Sequence, residues 1–332
     1  VRFAFTPEQL ERRDAVRALL EKECPPEVVR AAWTDAGGRT KRLWGRLADM
    51  GVIGATAPEA AGGLGLTEID LVPLLEETGR AALAGPVVET AAVAVPLLRD
   101  AGRDATRIAA GDAVVAAALD PSALGRAPLV PYADLADLVV LGEGTAVHVV
   151  ERAQIALEPR ASVDGSRRLF EVRWRPTEAT RLAGGALAGD AFDRGALGTS
   201  AQLVGLAQHL VDVTVEYAKH REQFGVPIGS FQAVKHHLAD AALDLEFARP
   251  LVYRAAHSVA HADPERAVHV SMAKARASDA ALLAARVALQ VHGAIGYTTE
   301  YDLHLWMKRA WALAASWGDA AWHRHRIGLA IL

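Results

Sequence analysis

One cysteine, Cys24, stands in 332 residues, so no disulfide can form within the chain and a reducing compartment is expected. The thiol itself reads as an ordinary helix-end residue. Aromatic residues are scarce, 6% against 51% hydrophobic residues in all. Alanine and leucine make up the difference, which favours a mainly helical protein. No apolar run is long enough to cross a bilayer; the most apolar stretch, 87–98, is interrupted by Glu89 and Pro96. No charged-then-apolar leader opens the sequence. Net charge is only -4 and no basic stripe appears, which argues against a nucleic-acid partner. The expectation is a cytoplasmic protein that engages neither membrane nor nucleic acid.

The common nucleotide and nucleophile signatures are also missing: no GxGxxG after a strand, no Walker loop, no GxSxG elbow. His257 and His261 lie four apart, a spacing that suits a metal, but no third ligand completes a set. They read as polar-face histidines, and no metal is expected. His236-His237 and the run His323-Arg324-His325-Arg326 read likewise, as solvated or interface faces.

What is present falls into three textures. Residues 1–110 read as a helical domain. Thr6-Pro7-Glu8-Gln9 combines an N-cap threonine, proline at the first helical position and a capping-box glutamine. Leu10, Val16, Leu19 and Leu20 follow as an apolar face that Pro25-Pro26 ends. A second helix carries Leu43, Trp44 and Leu47, and a third starts at Thr67, with Pro73 predicting a kink or an early stop. Residues 111–187 switch to short β-branched and apolar runs at 113–119, 138–141, 146–150 and 169–174, which predict a small, shortened antiparallel β domain. Residues 188–332 return to alanine-rich helix, with helices predicted at 190–220, 230–262, 264–292 and 300–331, a four-helix bundle. The fold class is therefore mainly α, of α+β type.

Two segments suggest chemistry. In 217–232 (YAKHREQFGVPIGSFQ), Arg221 ends a helix, Phe224-Gly225 turns the chain and Gln232 enters the next helix. An arginine and an aromatic beside a glycine turn suit a ligand with phosphates and a flat ring. In 290–300 (QVHGAIGYTTE), a helix ends in a glycine turn that permits close backbone approach. On spacing alone, the first also reads as a plain helix connector and the second as a helix C-cap.

Together these segments resemble the acyl-CoA dehydrogenase family. Its C-terminal domain carries an Arg-x-x-Phe-Gly turn leading into a glutamine, then Gln-x-x-Gly-Gly-x-Gly-Tyr/Phe-Thr. Both are matched here in order, with Ala294 in place of one glycine. The N-terminal half adds Met50 to Gly54, Pro58-Glu59, Gly62 to Gly65, Glu76 to Arg80 and Gly85-Pro86, so the likeness spans nearly the whole chain. The resemblance implies a helical–β–helical fold, FAD as cofactor and α,β-dehydrogenation of an acyl-CoA, with electrons passed to a separate acceptor. It assigns Arg221, Phe224, Gln232, Gln290, Gly293, Ala294 and Gly296 to cofactor binding.

Two departures from the family pattern stand out. The family's catalytic glutamate sits late in the chain in a Tyr-Glu-Gly-Thr context, and Trp317 before Gly318 takes that position here. Indole cannot abstract a proton. The alternative location early in the first C-terminal helix, 192–208, contains Asp193 as its only acid, at a non-catalytic position. No catalytic residue is therefore assigned. The family's Thr-Glu-Pro-x-x-Gly-Ser-Asp flavin-ring segment is also replaced, by 117–125 (AALDPSALG). In the family, FAD lies across a subunit interface, one subunit holding the flavin ring and its neighbour the ADP end. The resemblance thus implies a non-catalytic subunit of a heterotetramer that completes a partner's FAD site, as in enzymes acting on sterol side chains. Two other readings stay open: a homomeric dehydrogenase with a relocated base such as Asp319 or Glu246, and a scaffold without flavin.

Overall fold

A computed structural model describes residues 4–34, 38–119 and 127–332. The N-terminal helices are α1 (Pro7–Glu23), α2 (Pro26–Ala31), α3 (Gly38–Asp49), α4 (Glu68–Arg80), α5 (Val95–Asp100) and α6 (Thr106–Ala109). Helix α1 begins as its sequence dictates: the Thr6 hydroxyl accepts from the Gln9 backbone and the Gln9 side chain accepts from the Thr6 backbone at 2.9 Å. Pro25-Pro26 ends α1 but also opens α2, since proline at a first helical position gives up no hydrogen bond. Pro73 does not break α4, contrary to expectation; the helix runs on through it. Tight packing on the following bundle holds α4 in place. A Cβ added at Gly205 would lie 1.9 Å from the Glu76 carbonyl oxygen, so only glycine allows this crossing. The apolar stretch before α5 forms a wide π-helical turn, Val88–Ala94, that places Glu89 in the interior.

The middle region forms two sheets. Strands β1 (Val115–Ala118), β2 (Leu129–Pro131), β3 (Leu138–Glu143), β4 (Ala146–Glu151), β5 (Ala156–Arg160), β6 (Leu169–Arg173) and β7 (Arg181–Gly184) are arranged β1-β3-β4-β7 and β2-β6-β5. Three of them, β2, β5 and β7, were not foreseen from sequence; they are short and carry charged or proline residues. The β1–β3 pair is parallel, which corrects the expectation of a purely antiparallel module. The chain leaves β1, contributes β2 to the other sheet and only then returns as β3, a crossover that parallel pairing requires.

The C-terminal part contains α7 (Ala186–His220), the hairpin β8 (Glu222–Gln223) and β9 (Val226–Pro227), then α8 (Gln232–Ala260), α9 (Arg266–His292), α10 (Leu303–Ala314) and α11 (Ala320–Ile331). Helix α9, extended to Tyr297, passes the length and hydropathy test for a membrane span, yet it packs against α7, α8, α10 and α11. The last predicted helix is in fact two. Trp317 and Gly318 both take positive φ, 55° and 81°, and Asp319 then caps α11 by accepting from the Trp322 backbone at 2.8 Å.

Candidate functional site

The turn between α10 and α11 carries Trp317, and its surroundings come from four elements. The indole lies over Gly195 of α7, where an added Cβ would stand 2.4 Å from the ring. The Phe192 ring sits 6.1 Å away, centroid to centroid. The π-helical turn supplies Glu89, whose buried carboxyl interacts with the Trp317 side chain. Burial holds the Glu89 carboxyl above the ordinary carboxylate range, against the opposing pull of Arg167 and its hydrogen bonds.

Helix α9 pins the turn from below. Lys274 is 0% exposed and donates to the Ala314 carbonyl at 3.0 Å, the Gly318 carbonyl at 2.9 Å and the Ser278 hydroxyl at 3.2 Å. Three acceptors match the three donors of an ammonium. Burial nevertheless lowers its pKa to about 7, with Asp319 acting in the other direction. His323 Nε2 lies 2.9 Å from the Trp317 carbonyl and Nδ1 3.1 Å from the Ser271 hydroxyl. A carbonyl only accepts, so Nε2 carries the proton and Nδ1 accepts from serine. Burial lowers the His323 pKa to about 4. The expectation of a solvated or interface face does not hold for His323, which is fully buried. Asp193, in turn, is buried and paired with Arg326 of α11.

The other acids considered for a base lie elsewhere in character. Asp319 is an N-cap, and Glu246 is an exposed α8 residue 3.6 Å from Arg249. The histidines His257 and His261 stack on one another at 4.1 Å, and no metal-binding cluster occurs among the described residues.

At the far end of α7, Arg221 is the C-cap residue and the β8–β9 hairpin follows it. Its guanidinium is exposed and makes no hydrogen bond or ion pair to the described residues, whereas Arg194, Arg249 and Arg309 are each held by carboxylates. Phe224 sits at φ 55° and is 92% exposed, edge-on to Phe231 at 6.2 Å. Gln232 starts α8 beside it and is also exposed. The end of α9 comes to the same corner. Tyr217, one turn before Arg221, stacks on His292 at 4.1 Å. Gly293 follows with φ 64°, and Gln290, Gly293 and Ala294 are exposed while Gly296 is buried. The structure thus gathers the helix ends that bear Arg221 and Gly293 and keeps them apart from Trp317. Gly195 and the end of α7 at His220 are 25 residues apart, about 38 Å along a helix.

Two family models match the sequence: "Acyl-CoA dehydrogenase, N-terminal domain" over residues 6–109 and "Acyl-CoA dehydrogenase, C-terminal domain" over residues 183–332. The chain belongs to the acyl-CoA dehydrogenase family. It is 34% identical to acyl-CoA dehydrogenase IpdE2 of Mycobacterium tuberculosis, over 90% of this chain and 89% of that one. IpdE2 of Mycolicibacterium smegmatis is also 34% identical, with 90% of each chain covered. Among solved structures, the ChsE4-ChsE5 complex from M. tuberculosis matches with a TM-score of 0.89 and 25% identity, covering 100% of both chains. Acyl-CoA dehydrogenases are FAD-dependent oxidoreductases acting on acyl-CoA.

The exposed corner fits the anionic, ADP end of that cofactor: an unpaired guanidinium, an exposed aromatic and a glycine turn offering backbone close approach. Of the segment 117–125, Ala117 to Leu119 are described, with Ala117 and Leu119 buried, and 120–125 lie outside the described residues. Sequence reading missed Glu89, Lys274 and His323 as parts of the Trp317 environment. Glu89 read as an interruption of an apolar run, and nothing local in 274 or 323 signals burial.

Proposed function

We propose that this chain is the non-catalytic subunit of a heterotetrameric acyl-CoA dehydrogenase, completing the FAD site of a partner subunit. The observation that carries the reading is Trp317. The position from which the family's glutamate acts is filled by an indole locked against Gly195, Phe192 and Glu89. An indole N–H donates and cannot take the substrate's α proton. FAD, when bound, supplies the acceptor for the β hydrogen as hydride. What this chain offers it is Arg221 for the pyrophosphate, Phe224 and Gln232 beside it, and Gln290 with the Gly293, Ala294 and Gly296 turn.

Geometry supports a role in trans. The exposed corner lies about 38 Å from Gly195 along α7, well apart from Trp317, which supports a flavin whose ring is held by another chain. Similarity to a solved complex of two differently named chains, ChsE4 and ChsE5, supports a heteromeric partner. The substrate proposed is a bulky acyl-CoA of sterol-side-chain type.

The experiment is spectral and kinetic. The chain purified alone shows little flavin absorption and little dehydrogenase activity, and both appear on mixing with its partner subunit. Trp317→Glu does not create activity in the isolated chain, because a carboxylate without a bound flavin ring has no hydride acceptor beside it. Robust acyl-CoA turnover by the partner-free protein would overturn the proposal.

A further inference from the structure

We infer that His292 is a positioning residue for the cofactor corner, a stacked imidazole that locks the turn after α9 to the end of α7. The inference rests on the reading of Arg221 and the Gly293 turn as an FAD half-site, and it assigns a role to a residue that touches neither phosphate nor ring.

The imidazole is 4% exposed and lies face to face with Tyr217, centroids 4.1 Å apart and planes 24° from parallel. Tyr301, from the segment after the turn, packs beside this pair, 5.2 Å from His292 with its plane tilted by 48° and 6.3 Å from Tyr217 at 64°. Rings from α7, α9 and the post-turn segment thus form one aromatic cluster, with Tyr217 and His292 stacked and Tyr301 tilted against them. Each is covalently close to a proposed cofactor contact. The Arg221 amide donates to the Tyr217 carbonyl at 2.8 Å, and the Arg221 carbonyl accepts from Ile228 at 2.7 Å, so the Tyr217 backbone fixes where the hairpin starts. His292 immediately precedes Gly293, and a Cβ on Gly296 would meet the His292 Cβ at 3.1 Å.

One hydrogen bond anchors one edge of the His292 ring, and the stack on Tyr217 fixes its face. Nδ1 lies 2.8 Å from the Ala288 carbonyl, and a carbonyl only accepts, so Nδ1 carries the proton. Nε2 is then a bare acceptor, buried and without a hydrogen-bond partner among the described residues. Such an atom costs stability. Burial also lowers the pKa of the ring. The ring's contribution is its flat face: it sets the register between two helix ends whose exposed residues must meet one ligand.

Phenylalanine should therefore replace histidine here, since it keeps the face and removes the unpaired nitrogen. The test uses the heteromer formed with the flavin-bearing partner, titrated with FAD after removal of the cofactor. His292→Ala is expected to weaken FAD binding about tenfold, in line with loss of an aromatic pair and of the turn's register. His292→Phe is expected to stay within about threefold of wild type. Assembly and melting temperature are measured alongside. Arg221→Ala separates the two ideas. If Arg221→Ala weakens FAD and His292→Ala does not, the positioning role is wrong and the half-site stands. If neither changes FAD affinity, the half-site reading fails and the positioning role falls with it. Hydrogen exchange on the isolated chain gives a second reading should His292→Ala hinder assembly: amides in 293–301 exchange faster in His292→Ala and not in His292→Phe. Equal exchange in all three proteins would overturn the inference.

Discussion

At the residue scale, the acids of this chain are distinguished by what surrounds them. Asp319 caps a helix with its Oδ1, and Glu246 is an exposed helix residue. Both are exposed to solvent, so Asp319→Asn and Glu246→Gln in the assembled enzyme should change turnover by less than about tenfold, roughly 1.4 kcal/mol of barrier. A loss of several thousandfold from either would identify a relocated base. Glu89 is the acid held against Trp317, and its pKa is raised chiefly by burial. In the unfolded chain it ionises near 4.5, earlier than in the folded one, so folding loses stability as pH rises through that value. Glu89→Gln should accordingly melt at an equal or higher temperature than wild type at pH 7.5. The difference should shrink as the pH approaches 4.5; a clearly lower melting temperature at pH 7.5 would show that the charged form is needed.

At the element scale, the turn between α10 and α11 is held by a buried cation. Lys274 has a folded pKa of about 7 against 10.5 for the free side chain. Below about pH 7 both states bind the proton and the cost of burying the charge is present in full. Between pH 7 and 10.5 the unfolded chain holds the proton more tightly, so stability rises with pH in that window. Lys274→Met lacks this rise, while leaving the Ala314 and Gly318 carbonyls without their donor at a cost of about 1–3 kcal/mol. Urea unfolding at pH 7 and pH 9.5 measures both effects; identical pH dependence in the two proteins would mean that Lys274 stays charged throughout. Element boundaries followed legibility in sequence closely here. The Thr6 capping box declares the start of α1 because its signal is local. The break at Trp317 and Gly318 was read through as helix because it is imposed by contacts with α7 and α9, far away in sequence.

At the scale of the whole molecule, two neutral histidines, His209 half-buried and His323 buried, tie α7, α9, α10 and α11 together. His209 stacks on Trp306 of α10 at 4.1 Å, and His323 of α11 joins Ser271 of α9 to the Trp317 carbonyl. Burial lowers both pKa values to about 4, below the 6.5 of the unfolded chain. Depressed values mean that the unfolded state takes up protons first, so stability is retained above about pH 6.5 and lost as the pH falls toward 4. Each histidine accounts for on the order of 2–3 kcal/mol of that loss. Chemical denaturation at pH 7 and pH 5 should show the decline. His209→Gln and His323→Gln should each make it shallower, and an unchanged slope in both would remove the assignment.

The sequence by itself determined the family and the mainly α architecture with a β module between two helical parts. These are written in local patterns: capping residues, periodicities of apolar residues, and motifs whose order survives without knowledge of contacts. It also named the residues at the exposed corner, since Arg221, Phe224 and the Gly293 turn carry their signals within a few positions. Only the tertiary structure decided what surrounds Trp317. Glu89, Gly195, Lys274 and His323 come from four elements and meet around Trp317, and burial by distant parts of the chain alters the ionisation of Glu89, Lys274 and His323. Desolvation depends on everything packed around a group, so no single stretch of sequence contains it.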